Sequence, residues 1–424
     1  MTLEVADTTK LGEIIQVVDA VAKMQKHRPG RECDAINYEI VVGYFNRVQR
    51  AKEEGKYVVA HTPMVPPEIF YAMDIVPLQL EFAATVAAQI VPGIEDCFST
   101  AAAFGLAPEI CSAQRLIAGQ AIQGWFPRPD ALVWSNQVCD NTAKGGNLLV
   151  EVYDCPRFFL DRPYHYSERG VQYFAHQLEE LILFLEDLTK RKMDWDRFSE
   201  VMERSRRLQE LHREIRELRK AVPSPWRNLW FIHMMGTEMY LAGTADAITH
   251  LEAIRDAARE KVKRGEGFVP EEKFRLLTIF VPPTSAWALM GWMQGKHGAV
   301  CVAEPYFSYR EAESIDPARP LDSLARKSFY CPICGPMQGP AEEGILRDVV
   351  RDAIDYRAEA AVCFASIGCR QTDACIRMLR DALQEATGIP MLVLDNDTYD
   401  PTYVPEDQLK DKLDEFFELL DERK

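Results

Sequence analysis

Three cysteines stand where a chain can place a thiol for chemistry. Cys139 follows the apolar run Ala131–Trp134 in "ALVWSNQVCD", and Cys369 follows Ala360–Ala365 in "AAVCFASIGC" in the same way. Buried parallel strands present their ligands at their carboxyl ends. Cys111 opens the helical stretch of "APEICSAQRLIAGQ", where first-turn N–H groups favour a thiolate. One cysteine per α/β domain at such an end would let two domains face a shared site. The gap from Cys139 to Cys369 spans more than half of the chain, so spacing alone diagnoses no metal motif. Separate buried thiols are the other reading, since free cysteine packs as a small hydrophobe.

The remaining candidates are weaker. "CPIC" at Cys331–Cys334 has the spacing of a redox dithiol or half a zinc site. A complete zinc site needs two more ligands, and Cys363 and Cys375 reach it only by folding; two loop thiols is the simpler reading. Cys155, Cys301 and Cys363 lie in or beside apolar runs and read as core. "GWMQGKHG" lacks the G-x-x-x-x-G-K-[ST] spacing and carries His297 in place of Ser or Thr. No G-x-G-x-x-G follows a strand, so no nucleotide-hydrolysis motif is visible. The tryptophans of "PWRNLWF" and "SAWALMGWM" suit an aromatic pocket, although core packing is their commoner use.

The elements that must position these residues follow from periodicity. Helical spacing covers the start of the chain up to Glu54, notably Cys33–Glu54. A strand at Tyr57–Ala60, a proline-rich loop, a short helix and a strand at Val76–Glu81 come next. "ALVWSNQVCD" and "LLVEVYDCP" supply two further short apolar runs of the kind found in parallel sheets. From Ser167 to Ala221 the pattern turns to amphipathic helix, with Asp194 as an N-cap and the dense charge on solvated faces. "VPSPW" breaks it, and further helices run to about Lys263. After the linker "RGEGFVP" come strands in "FRLLTIFVPP", "GAVCVAEPYF", "AAVCFASIGC" and "PMLVLDNDTYD". Helices are expected around Glu342–Tyr356, Thr372–Ala386 and Glu406–Leu420. The predicted fold is α/β, with two Rossmann-like parallel-sheet domains joined by helices. Residues 1–166 hold N-terminal helices and the first α/β domain, 167–263 the helical segment, and 264–424 the second α/β domain.

Bulk properties bound the partners. The 424 residues are 47% hydrophobic and carry 49 Lys and Arg against 65 Asp and Glu, a net charge of −16. That balance argues against nucleic acid or an anionic membrane as the main partner. "MTLEVADTTK" lacks the basic and apolar regions of a signal peptide. The uncharged stretch Leu276–Met293 is broken by Pro282–Pro283 and reads as strand, turn and helix rather than a membrane span. The expected location is cytoplasmic, where 11 cysteines are not a disulfide framework.

The segments "HTPMVPPEIFYAMDIVP", "EICSAQRLIAGQ", "NQVCDN", "PEEKFRLL" and "SIGCRQTDACIRMLRDALQEATGIPMLVLDNDTYDP" occur in that order. Together they resemble the 2-hydroxyacyl-CoA dehydratase/benzoyl-CoA reductase family over roughly residues 40 to 420. "YLAGTADAI" and "EEKFRLL" look like its substrate-side branch, of the alpha or B type. The segment from Leu80 to Cys111 matches poorly, and Cys97 competes with Cys111 for the first cysteine position; "CSAQR" fits the pattern better than "CFSTA".

The resemblance implies a [4Fe–4S] cluster at the domain interface, held by Cys111, Cys139 and Cys369. Three thiolates for four irons leave one iron open to water, hydroxide or a substrate oxygen. It places a polar group near that iron at His61 or Thr62. It implies a homologous sister subunit, a separate ATP-hydrolysing iron–sulfur activator and an acyl-CoA substrate. The implied activity is oxygen-sensitive radical chemistry, first the reductive dehydration of a 2-hydroxyacyl-CoA to an enoyl-CoA. Reduction of benzoyl-CoA is the close alternative. A non-catalytic electron-transfer or scaffold subunit and a zinc-stabilised structural protein are rivals from other classes.

Overall fold

The computed structural model describes residues 10–307, 315–334, 339–342 and 344–423. Its strands form two four-stranded, all-parallel sheets. In the first, β1 (Val58–His61), β2 (Val76–Gln79), β3 (Ala131–Ser135) and β4 (Arg157–Leu160) take the order β2-β1-β3-β4. In the second, β5 (Phe274–Ile279), β6 (Ala299–Ala303), β7 (Ala360–Ser366) and β8 (Met391–Asn396) take the order β6-β5-β7-β8. The α/β class and the paired parallel sheets agree with the expectation from periodicity.

The central strands β1, β3, β5 and β7 are buried along their whole length, as strands covered on both faces must be. Alternation divides their side chains between two cores. Val58 and Ala60 of β1 enter one, and Val59 enters the other with Ala131 and Val133 of β3. The strand orders reverse between β1 and β3 and between β5 and β7. Such switch points open a crevice at the strand C-termini. Cys139 follows β3 and Cys369 follows β7.

Four helices, Glu168–Thr189, Trp195–Arg219, Trp230–Leu241 and Ala245–Arg264, lie in sequence between the sheets. Three have side-chain caps. Ser167 accepts from the Gly170 amide, Asp194 from Arg197 and Thr244 from Ala247. Most of the charge on these helices lies on outer faces, where Glu214 binds Arg207, Arg255 and Arg259, while Arg219 and Glu238 are buried. The Trp195–Arg219 helix reaches both α/β units. Ser205 Oγ donates to Glu68 at 2.9 Å, while Arg216 and Arg219 pair with Asp352 and Glu304 at 3.1 and 2.6 Å. The stretch Leu276–Met293 resolves into β5, a turn and the helix Ala288–His297, and no helix among the described residues is long and apolar enough to cross a membrane.

Two local expectations are corrected. The apolar run Leu148–Pro156 is not a strand; it belongs to the helix Asp140–Tyr153, and the strand is the half-exposed β4 beyond it. Gly145 and Gly146 explain the difference. A Cβ on either would overlap Gln114 or Trp134, so the glycines let this helix lie directly on β3. The second strand ends at Gln79 rather than Glu81, because Gln79 Oε1 caps the amide of Phe82 and starts the helix Leu80–Ile90.

Another close approach locks Ser112–Ile122 against the helix Ile94–Phe104. A Cβ on Gly119 would overlap the Cys97 carbonyl oxygen, which is backbone and yields little. Gly119→Ala should therefore lower the urea midpoint, at a cost of about 1–3 kcal/mol. An unchanged midpoint would show that the two helices do not pack as described.

Candidate functional site

All three candidate cysteines are helix N-caps. Cys111 precedes Ser112–Ile122, Cys139 precedes Asp140–Tyr153, and Cys369 precedes the short helix Arg370–Asp373. Of the three, Cys139 takes a cap hydrogen bond through its sulfur. The Thr142 N–H donates to Cys139 Sγ at 3.3 Å, with Thr142 Oγ1 at 3.1 Å. The Thr372 hydroxyl donates to the Cys369 carbonyl at 3.0 Å and the Gln114 amide to the Cys111 carbonyl at 3.0 Å.

The two strand ends meet at these caps. A Cβ on Gly368 would lie 2.9 Å from Cys111 Cα, so the turn after β7 touches the backbone at Cys111. Asn141 Nδ2 donates to the Gly368 carbonyl at 3.4 Å, and Arg370 pairs with Asp140 at 3.0 Å. The three thiols feel one another: burial, then Cys369 and Cys139, raise the pKa of Cys111. Burial also raises Cys369 and pushes Cys139 up to about 11. Each of these cysteines is partly exposed as a residue, while its thiol is strongly desolvated. A nucleophilic or redox-active cysteine needs the opposite shift, supplied by a nearby cation. The nearest guanidiniums are committed elsewhere, Arg115 to Asp397 and Asp400, and Arg370 to Asp140. Soft donors of this kind suit metals whose own charge removes the cost of the thiolate.

A cavity of about 200 Å³ lies beside the thiols. Glu81, Pro63, Val138, Tyr306 and Tyr399 line its thiol side. Tyr306 lies within electrostatic reach of Cys369 and Cys139, and Tyr399 within reach of Cys111. Glu81 is buried, and desolvation pushes its carboxyl up to about 8. Gln114 Nε2 donates to Glu81 Oε1 at 2.9 Å and Gln79 Nε2 to Oε2 at 3.4 Å, fixing the carboxyl at the cavity wall. Sequence reasoning passed over Glu81 by placing it at a strand end. The signal was present: it is the single charged residue between Ile75 and Val91.

The other candidates fall elsewhere. His61 is buried against Phe70, with ring centroids 5.2 Å apart and Nδ1 3.1 Å from the Thr62 carbonyl. Burial lowers its pKa to about 4, and Nε2 has no hydrogen-bond partner among the described residues. Thr62 Oγ1 accepts from the Ser135 amide at 3.1 Å. Neither lines the cavity, which begins at Pro63. Cys97 donates to Gln123 Oε1 at 3.3 Å, at the far end of the helix that Cys111 caps. Cys331 and Cys334 are buried beside Ile333, packed with Met64, Val138 and Tyr306. Cys301 and Cys363 are core residues of β6 and β7, and Cys155 packs partly buried against the same core. Trp226, Trp230 and Trp287 all join that core, and Trp287 also reaches the cavity. Among the described residues no three His, Cys, Asp or Glu side chains are gathered tightly enough for a single metal ion.

Known proteins match this chain over nearly its whole length. The B-type component of benzoyl-CoA reductase from Thauera aromatica is 25% identical over 418 residues, covering 91% of this chain and 94% of that protein. The (R)-phenyllactyl-CoA dehydratase alpha subunit of Clostridium sporogenes is 23% identical, covering 90% and 94%. The (R)-2-hydroxyisocaproyl-CoA dehydratase alpha subunit of Clostridioides difficile is 22% identical, covering 93% and 97%. The family model described as 2-hydroxyglutaryl-CoA dehydratase, D-component, matches residues 62–420, from the end of β1 into the terminal helix Glu406–Glu422. A match of that extent means that the chain belongs to the 2-hydroxyglutaryl-CoA dehydratase, D-component, family.

Proposed function

We propose that this chain is the substrate-side subunit of an oxygen-sensitive acyl-CoA enzyme, with Cys111, Cys139 and Cys369 holding a [4Fe–4S] cluster that has one open iron. The observation that carries the reading is the convergence of three capped thiols from three chain segments at one crevice. The fit is chemical. Three soft sulfurs at helix starts, with no free cation beside them among the described residues, suit a multinuclear group in which each thiolate serves a different iron. Bound there, the cluster supplies single electrons of low potential.

The chain's own residues supply binding and proton handling. The cavity takes the acyl end of the thioester, with Tyr306 and Tyr399 on the thiol side. Glu81 keeps a proton at neutral pH because its ionised form is desolvated. Dehydration of a 2-hydroxyacyl-CoA releases water, so one proton must reach the departing hydroxyl and one must leave the adjacent carbon. A carboxyl fixed by Gln79 and Gln114 can give the first at one oxygen and accept the second. Ring reduction of an aromatic acyl-CoA is the second reading, favoured by the match to the reductase component over 91% of this chain; it would use the same proton donor. Glu81 weighs against a purely electron-transferring or scaffold role, because such a subunit needs no protonated acid at a cavity wall. The relatives are named as subunits, which supports a homologous sister subunit here; a separate ATP-hydrolysing iron–sulfur activator as electron donor completes the proposal.

Replacing Cys111, Cys139 or Cys369 by Ala should lower iron and sulfide per subunit and alter the reduced-state EPR signal of the anaerobically purified complex. Cys301→Ala and Cys363→Ala should cost packing only, about 1 kcal/mol, with iron unchanged. A full, unaltered cluster in Cys369→Ala protein refutes the ligand assignment. Gly368→Ala should loosen the site and speed iron loss to a chelator, since its Cβ would press on Cys111.

Glu81→Gln keeps the hydrogen-bonding shape without the proton. It should lower kcat by roughly 100- to 10,000-fold. Wild-type activity should fall as pH rises through about 8, where Glu81 ionises. The stability sign follows the same proton. The folded state holds it up to about 8 while the unfolded chain releases it near 4.5, so this group's contribution is full below 4.5 and lost as pH climbs to 8. Glu81→Gln should flatten that slope in urea titrations. A wild-type slope retained in the variant would show that Glu81 is not the group.

A further inference from the structure

The cavity beyond Glu81 has a chemistry of its own. Away from the thiols its walls are mostly apolar, including Val86, Ile232 and the rings of Phe82 and Trp287, with neutral polar side chains such as Asn37 and Gln89 among them. No Lys or Arg is among the described residues that line it. The nearest guanidinium, Arg227, is buried and held by Asp34 at 2.7 Å. Asp34 also lies 3.8 Å from Nδ1 of His233, a lining residue. Burial, and then Arg227, lower the pKa of His233 to about 3, so at neutral pH that ring offers no positive charge. Among the described residues the cavity therefore meets no free cation, since Arg227 is already paired with Asp34.

We infer that this cavity selects an uncharged acyl group with the bulk of a phenyl ring and excludes one that ends in a carboxylate. A carboxylate entering here would lose its hydration and find no Lys or Arg among the described lining residues, with Arg227 behind them already held by Asp34. The volume sets the size. A dry apolar cavity of about 150 Å³ takes a benzene ring, and this one is about 200 Å³. Aromatic walls favour a ring over a short alkyl chain, which would leave most of the apolar surface uncovered. Phe82 is held rigid by stacking on Tyr240, with centroids 3.7 Å apart, so the wall cannot collapse onto a small group. The inference rests on the proposal that the site binds acyl-CoA thioesters, and it names which ones.

The test uses three thioesters that lack a 2-hydroxyl group, so binding is read without turnover. 3-Phenylpropionyl-CoA, glutaryl-CoA and propionyl-CoA are titrated by calorimetry into the anaerobically purified complex of this chain with its sister subunit. The expected result is binding of 3-phenylpropionyl-CoA on the order of 100-fold tighter than glutaryl-CoA and about 10-fold or more tighter than propionyl-CoA. Glutaryl-CoA or propionyl-CoA binding as tightly as 3-phenylpropionyl-CoA overturns the inference and leaves the acyl-CoA reading intact. Failure of all three to bind overturns both. Val86→Trp fills the cavity and should weaken 3-phenylpropionyl-CoA about 10-fold or more while propionyl-CoA is unaffected. Equal weakening of both would place the acyl group elsewhere, and the wild-type comparison stands even if this variant does not fold.

Discussion

The backbone contact between Gly368 and Cys111 is the constraint on which the site depends. It joins the turn after β7 to a helix start in the first α/β unit with no side chain between them. A residue with a Cβ at 368 would push these segments apart, and with them the Cys369 and Cys111 sulfurs. The Asn141–Gly368 hydrogen bond and the Arg370–Asp140 pair bring in the third segment, the start of the Cys139 helix. Three chain segments thus register against one another within a few residues of each thiol.

That register is held from behind by buried charge. Lys327 sits between Glu68 and Glu238, with Glu68 also accepting from Ser205. Further along the Trp195–Arg219 helix, Arg216 and Arg219 reach Asp352 and Glu304 in the second unit. Buried pairs of this kind add little net stability against an apolar core, yet breaking one strands a charge. Their effect here is positional: the helix can dock on the two units only where every charge meets its partner.

Burial acts on the two halves of the site in different ways. It disfavours free thiolates at Cys111, Cys139 and Cys369, which makes them poor nucleophiles and fits them to a partner that brings positive charge. The same desolvation keeps Glu81 protonated near neutrality, which fits it to deliver a proton. One desolvating crevice therefore tunes both its sulfurs and its acid, with no free cation beside either among the described residues.

Local pattern determined much of this. Apolar runs with turn residues placed the strands of both sheets except β4, caps such as Asp194 marked helix starts, and the positions of Cys139 and Cys369 after strand ends and of Cys111 at a helix start followed from residue order alone. Where pattern failed, packing was the reason. An apolar run reads alike in a strand and a buried helix, and only the approach of Gly145 and Gly146 to Gln114 and β3 made Leu148–Tyr153 helical. Glu81 became a candidate acid only once Gln79 ended the strand and Gln114, far away in sequence, closed on its carboxyl. His61 went the other way: strand alternation turned it onto Phe70 and away from the cavity. The meeting of Cys111 with the Cys369 turn was decided by tertiary structure alone, because contact across so long a separation is set by how two sheets dock and not by any local preference of the residues that touch.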